Sequence, residues 1–369
     1  MKVDRRLLLN FDWTLFGMVL IICAIGLMNI YSTGYSLADA RHTSLYIKQM
    51  QSLAIGVLAM FIAFSVDYRF IARHAYVIYG ISIALLVAVF ILGTAVKGSQ
   101  RWINLGGFSF QPSEMMKLTL ILVLARYLDE HRLPRPYRLR ELAVPFLIVF
   151  LPFFIILKQP DLGTALMLLI IFISMIFFVG VRLKSVLLAA AGFLTLLPAA
   201  WFFLKDYQKQ RLLTFLNPDQ DPLGTGYHIL QSMIAIGSGG LLGKGFLKGT
   251  QTQLKFLPEQ QTDFIFSVFA EEWGFLGGLV LVLLFLALIL WAVKIARHAR
   301  DFTGMMIAFG IAMFLFWEVF INIGMVLGLL PVVGIPLPFF SYGGSSLVVM
   351  MTAVGLLLNI SVRRYILQP

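Results

Sequence analysis

Residues 260–266 read Gln-Gln-Thr-Asp-Phe-Ile-Phe and open a long apolar run, so the carboxylate of Asp263 is placed where water gives way to hydrocarbon. Two chemistries suit an acid in that position. It can cap the helix that follows, accepting free backbone N–H groups, or it can serve as a general base. Glu271 stands eight residues on, about 12 Å deeper by helical rise, and Glu272 points the other way. Both, with Glu318, fall inside apolar runs, where carboxylates are costly and face a polar cavity or a partner. An arginine, Asn322 or a backbone amide would supply such a partner.

Two further constellations precede apolar runs. Lys97-Gly98-Ser99-Gln100-Arg101-Trp102 is followed by Gln111-Pro112-Ser113-Glu114-Met115-Met116-Lys117. Pro112 suits the first turn of a helix, which puts Glu114 and Lys117 at i and i+3 on one face. They form either an intrahelical ion pair or, given the expense of burying two charges, a binding site for a charged ligand. Arg101 beside Trp102 fits an interfacial anchor, and its guanidinium also fits phosphate oxygens in a fork. Lys158-Gln159-Pro160-Asp161 offers another charged pair, unless Asp161 caps the helix after it.

Other chemistries fail on spacing. In Gly237-Ser238-Gly239-Gly240-Leu241-Leu242-Gly243-Lys244-Gly245 a phosphate loop would need glycine at Ser238 and Ser or Thr at Gly245. The five histidines are scattered and form no metal-binding pattern, and the lone Cys23 rules out a disulfide framework.

The elements that must carry these residues are apolar. The 369-residue chain is 60% hydrophobic and 13% charged, with a mean hydropathy of +0.89, which excludes a soluble globular protein. The fold expected is all-α, a polytopic integral membrane protein with about ten transmembrane helices. The runs lie near 13–32, 47–66, 73–95, 113–128, 143–157, 164–180, 185–204, 263–293, 304–330 and 343–361. One domain, 1–369, accounts for the whole chain, with no soluble part. The net charge of +11 is spread over short loops. That pattern fits the positive-inside rule, not nucleic acid, and it puts both termini in the cytoplasm. The external segments are then 96–112, 158–163, 331–342 and one long extracytoplasmic loop, 205–262, in which His228 to Ile236 is apolar enough for a short interfacial helix.

Taken in order, the motifs Gln100-Arg101-Trp102, Phe110-Gln111-Pro112-Ser113-Glu114, Gln159-Pro160-Asp161-Leu162-Gly163-Thr164, Tyr207-Gln208-Lys209-Gln210-Arg211, Asp221-Pro222-Leu223-Gly224-Thr225-Gly226-Tyr227, Leu257-Pro258-Glu259, Thr262-Asp263-Phe264 and Pro336-Leu337-Pro338-Phe339-Phe340-Ser341-Tyr342-Gly343-Gly344 closely resemble those of the SEDS family of bacterial cell-wall polymerases. Lys248-Gly249-Thr250-Gln251-Thr252-Gln253-Leu254 resembles its rod-shape branch more than its division branch. The resemblance covers nearly the whole chain. It implies a peptidoglycan glycosyltransferase in the bacterial cytoplasmic membrane that polymerises lipid II on the outer face. The partners implied are a class B penicillin-binding protein and the elongation machinery. The family's essential acid falls on Asp263, its Pro-Ser-Glu motif on Glu114, the following lysine on Lys117 and its Arg-Trp pair on Arg101 and Trp102. Gln261 stands where relatives commonly have histidine.

The resulting expectation gives Asp263, with Glu114, the task of removing a proton from the acceptor sugar. Arg101 and Lys117 would stabilise the departing diphosphate, with or without a divalent cation held by the carboxylates. Trp102, Gln159 and Asp161 complete the expected substrate-binding set. A flippase for a lipid-linked precursor and a non-catalytic scaffold are the rival readings. The first needs polar residues through the inner halves of the spans, which are almost wholly apolar at 281–293 and 350–358.

Overall fold

A computed structural model describes residues 10–34, 43–96, 99–106, 108–203, 209, 213–215, 225–254, 256–257 and 259–364. The basic residues Lys2, Arg5, Arg6 and Lys97, the motif residues Tyr207, Gln208, Gln210, Arg211 and Asp221–Gly224, and Pro258 lie outside them.

In chain order the elements are α1 (Trp13–Gly34), α2 (Thr43–Ser65), the short α3 (Tyr68–Arg73) and α4 (Ala75–Leu92). Strands β1 (Thr94–Val96), β2 (Ser99–Leu105) and β3 (Phe108–Phe110) follow. Then come α5 (Pro112–Glu130), α6 (Ala143–Lys158), α7 (Leu162–Val179), α8 (Leu183–Phe203), α9 (Thr225–Gly239) and the single turn α10 (Thr250–Gln253). The chain closes with α11 (Ile265–Arg297), α12 (Phe302–Val326) and α13 (Gly344–Arg363). Each of the ten expected spans has its helix, and among the described residues eight are long and apolar enough to cross a membrane. The protein is a polytopic, all-α membrane protein.

The exception at α5 has a physical cause. α5 carries Glu114, Lys117, Thr119 and Arg126, yet it is buried over most of its surface. It packs against α4, α6, α7, α12 and α13 and so forms the middle of the bundle. A central helix meets other helices, not lipid, and can hold polar groups if they find partners. α13 is also mostly buried and lies along α2, with Gly355 so near the Met60 carbonyl that a Cβ would come within 2.3 Å of it. Small residues of this kind let helix backbones approach in membranes. Asn359 of α13 donates to the Ala63 and Phe64 carbonyls at 3.1 and 2.6 Å, closing the free end of α2.

Two features were not expected. The 94–110 segment forms a small antiparallel sheet, with β2 between β1 and β3 and Thr94 opposite Trp102. The helix placed at His228–Ile236 is longer, and it packs against α11 and α12 with Ile229, Ser232 and Ala235 buried. Its Ser232 Oγ lies 2.8 Å from Ser267 Oγ and donates to the Val326 carbonyl at 2.6 Å. Those bonds hold one face of it against the bundle, while Met233 and Ile234 on the other face stay exposed.

Candidate functional site

At one end of the bundle the motif-bearing loops close over the helices. Gln111, just before α5, donates to Asp161 at 3.2 Å, and its backbone N–H reaches Ser345 of α13 at 2.9 Å. A Cβ on Gly163 would lie 2.4 Å from the Val333 carbonyl, so the start of α7 touches the 331–342 segment. That segment holds the turn before α11. Ser341 Oγ donates to the Thr262 carbonyl at 2.6 Å, and the Tyr342 N–H donates to the Gln261 carbonyl at 2.9 Å. Motifs more than a hundred residues apart are thereby drawn into one place.

Asp263 sits in this turn and is partly exposed. It is not the cap of α11, because the capping position falls on Phe264. Asn322 of α12 donates to the Asp263 carbonyl at 3.0 Å and to the Ile335 carbonyl at 2.8 Å. A Cβ on Gly334 would stand 3.3 Å from the Asp263 carboxylate, so the acid faces the 331–342 segment.

One helical turn below Asn322, Glu318 accepts from Lys117 at 2.6 Å, and Lys117 also donates to Glu114 at 2.8 Å. All three side chains are at most 5% exposed. The lysine is further covered by the Phe314 ring, 4.9 Å away. This interior holds two carboxyl groups and one amine. Glu114 and Glu318 each keep one buried oxygen without a hydrogen-bond partner, as does the amide oxygen of Asn322. Such groups are ordinarily satisfied by water or ligand.

This arrangement alters several expectations. Lys117 is not free to grip a diphosphate, since its ammonium lies buried between two carboxylates. Glu318 takes neither arginine nor Asn322 as partner, but a lysine from another helix. The Gln159 side chain turns away from the site to donate to the Leu86 carbonyl at 2.8 Å. Asp161 caps α7 through Thr164. It also lies 3.8 Å from Arg101, which further bonds the Gln159 carbonyl at 3.1 Å and the Pro160 carbonyl. Arg101 thus fastens β2 to the 159–161 turn while keeping 29% of its side chain exposed. Trp102, next along β2, is partly buried.

Glu271 and Glu272 belong to a second arrangement. α11 is broken at Gly274, whose φ of 67° and ψ of −166° lie outside helical values. The stretch from Phe275 to Arg297 covers roughly 35 Å, already enough for a hydrocarbon core of about 30 Å. Glu271 and Glu272 precede the break, so they sit towards the motif-bearing end and not deep in the span. The glycine-rich 240–245 turn docks at the break. Lys244 and Gly245 donate backbone N–H groups to the Glu271 and Glu272 carbonyls at 3.0 and 2.9 Å, and Phe275 returns one to Gly240 at 2.8 Å. Gly243 has φ +81°, and a Cβ there would fall 2.1 Å from the Glu272 carbonyl, so only glycine fits. The Glu271 carboxylate accepts from Lys244 at 2.7 Å, the Gln251 N–H at 3.0 Å and the Thr250 and Thr252 hydroxyls at 3.2 Å. Glu272 accepts from Ser32 of α1. The Lys248–Leu254 motif is therefore the wrapping of a buried carboxylate.

No three His, Cys, Asp or Glu side chains among the described residues come together as a metal centre. The Lys117 ammonium occupies the space between Glu114 and Glu318 where a cation held by both would sit. That pair does not fit a divalent ion.

Comparison with known proteins gives a consistent result. The FtsW/RodA/SpoVE family model, described as cell cycle protein, matches residues 12–366. The peptidoglycan glycosyltransferase MrdB of Escherichia coli K12 is 42% identical over 331 residues, 89% of each chain. Stage V sporulation protein E of Bacillus subtilis is 42% identical over 360 residues, 95% of this chain and 96% of that one. Among solved structures, a chain from a study of how a peptidoglycan synthase complex coordinates polymerisation and crosslinking aligns with a TM-score of 0.82 at 33% identity. The rod shape determining protein RodA of Thermus thermophilus aligns at 0.71 and 31%. Each alignment covers 96% of this chain and 98% of the other.

Proposed function

The chain belongs to the FtsW/RodA/SpoVE family and is a peptidoglycan glycosyltransferase of the bacterial inner membrane; from that premise we propose that it polymerises lipid II at the Asp263 turn. The motif-bearing end faces outward and both termini are cytoplasmic, because the basic loops at the other end obey the positive-inside rule. The observation that carries this reading is a partly exposed acid, Asp263, whose backbone carbonyl is held by Asn322 and whose turn is gripped at Thr262 by the 331–342 segment, one helical turn from a buried cluster of two carboxyl groups and a lysine.

In this mechanism the donor is a glycan strand on its lipid diphosphate, and the acceptor is the GlcNAc 4-hydroxyl of an incoming lipid II. Asp263 takes the hydroxyl proton as the oxygen attacks the anomeric carbon of the donor MurNAc. The bond from that carbon to the diphosphate breaks with its electron pair, and an α linkage becomes β-1,4 by one inversion. The exposed part of Arg101 faces the diphosphate as it leaves. Glu114, Lys117 and Glu318 act from inside, setting the field in a region of low dielectric. Asp263 is the residue that would hold a divalent cation together with the substrate's phosphate oxygens, where the ion would supply charge neutralisation for the diphosphate. Membrane confinement of both lipids already meets part of the cost of bringing the reactants together.

The partner is a class B penicillin-binding protein within the elongation machinery, in line with the synthase complex among the structural neighbours. Purified protein with this partner, given lipid II in detergent where no membrane has to be crossed, should make glycan polymer. Transport of lipid II across vesicles with no polymer in detergent would favour a flippase and overturn this reading.

A further inference from the structure

The charged cluster and the acid of the Asp263 turn come from different parts of the chain, and one helix face touches both. Glu318 and Asn322 are separated by four residues on α12, which places them on the same face about 6 Å apart along the axis. Glu318 holds Lys117 at 2.6 Å. Asn322 uses its amide nitrogen twice, on the carbonyl of Asp263 and on that of Ile335. Its side chain is wholly buried, and its amide oxygen has no partner.

Neither bond is needed to hold α12 itself, because both accepting carbonyls lie in non-helical segments. One is the turn that carries the acid, and the other is the loop packed against that acid through Gly334. A turn that precedes a helix has few internal bonds. Here the Thr262 and Phe264 N–H groups donate to the Glu259 carbonyl at 3.1 and 3.4 Å, and the Thr262 hydroxyl donates to that carbonyl at 3.3 Å and to the Glu259 carboxylate at 3.4 Å, so all of these bonds converge on one residue. External anchors must therefore set where the carboxylate stands. Two of them, Ser341 and Tyr342, grip Thr262 and Gln261 from the 331–342 segment. Asn322 ties both that segment and Asp263 to the helix that carries Glu318.

We propose that Asn322 is a positioning residue, which fixes the distance between Asp263 and the Glu114–Lys117–Glu318 cluster by pinning both to successive turns of α12. This rests on the reading of Asp263 as the base. It assigns Asn322 no contact with substrate. Its effect lies in the geometry of proton removal, where a displacement of about 1 Å can cost about 100-fold in rate.

The test compares Asn322→Ala and the near-isosteric Asn322→Leu, which keeps the volume and loses both donors, with wild type and a control, Ser232→Ala. Ser232 also bonds α12, at the Val326 carbonyl four residues beyond Asn322, and Ser267 of α11, without bonding the Asp263 carbonyl or Glu318 in those contacts. In the lipid II assay both Asn322 variants should lose about 100-fold in kcat with KM changed less than about threefold, while Ser232→Ala stays within about twofold. Deuterium exchange at the amides of Thr262, Asp263 and Phe264 should rise about tenfold in the Asn322 variants alone, for roughly one hydrogen bond lost. A folded Asn322 variant with wild-type kcat, a rise in KM alone, or unchanged exchange at 262–264 would overturn the assignment. So would an equal loss in Ser232→Ala. The exchange measurement needs no turnover: if wild-type protein made no polymer, the polymerase reading would fall, and exchange alone would decide whether Asn322 holds the turn.

Discussion

Lys117 on α5 and Glu318 on α12 meet at 2.6 Å with side chains 1% and 0% exposed, joining two helices that lie far apart in the chain. Glu114 closes the group from the other side at 2.8 Å. A buried ion pair is weak evidence of stability, because desolvation offsets most of the attraction, but removing one member leaves a buried charge uncompensated.

Lys117→Met should therefore cost about 3–5 kcal/mol and abolish polymerisation. Denaturation in detergent measures the first effect and the lipid II assay the second. The triple variant Glu114→Gln, Lys117→Met, Glu318→Gln removes every charge at once, so it should recover most of the lost stability and none of the activity. A stable, active triple variant would show that the cluster serves folding alone.

Glu271→Gln should loosen the 244–252 segment without unfolding the bundle. The substitution keeps the shape but weakens the carboxylate's bonds to Lys244, Thr250, Gln251 and Thr252. Loss of charge-assisted hydrogen bonds puts the local cost at about 1–3 kcal/mol. Faster proteolysis within 244–252, with α12 and α13 unchanged, is the expected result.

Gly274→Ala tests the break in α11. A Cβ at this position would meet the Gly243 N–H at 2.3 Å, and φ is positive. Backbone strain of this kind costs about 1–3 kcal/mol before any steric clash, so the variant should melt lower and expose the 240–245 turn to proteolysis.

Asp301 gives a pH dependence at the basic end. Burial favours its neutral form, but hydrogen bonds from Tyr68, the Gly304 N–H and Arg69 outweigh that effect and hold the carboxyl below its usual range. The Tyr68 hydroxyl lies 2.6 Å away and the Gly304 N–H, at the start of α12, 2.7 Å. A lowered folded pKa means that the stabilisation is complete above the ordinary carboxylate value near 3.8 and fades as pH falls through the lower folded value. Asp301→Ala should lower stability at neutral pH by about 1–2 kcal/mol, as for a lost cap, and the gap from wild type should narrow on acidification below about pH 4. A gap that stayed constant would contradict the sign.

Much of this was legible in the sequence, for physical reasons. Apolar runs long enough to cross hydrocarbon mark themselves, which is why each expected span has its helix. Even the more polar α5 is marked by the apolar run 113–128 with Pro112 at its start. Partners set by tertiary packing were harder to read. Spacing pairs Lys117 with Glu114, but nothing local announces that Glu318, two hundred residues on, supplies the second carboxylate. The same holds for Gln159, whose side chain finds a carbonyl on α4, and for Arg101, which is committed to the 159–161 turn. Gly274 carried a signal, a glycine just beyond two carboxylates in an overlong helix. The glycine-dense 237–249 stretch carried another, as the piece that docks there. Reading the two together would have moved Glu271 and Glu272 out of the hydrocarbon.

The central claim is that Asp263 is the base. The most direct measurement is the rate of lipid II polymerisation by purified Asp263→Asn protein with the proposed class B partner, beside wild type, after both have been shown to be equally folded. An asparagine keeps the shape and the backbone bond to Asn322 but cannot take the proton, so the rate should fall by at least about 100-fold. Polymer made at the wild-type rate would contradict the account.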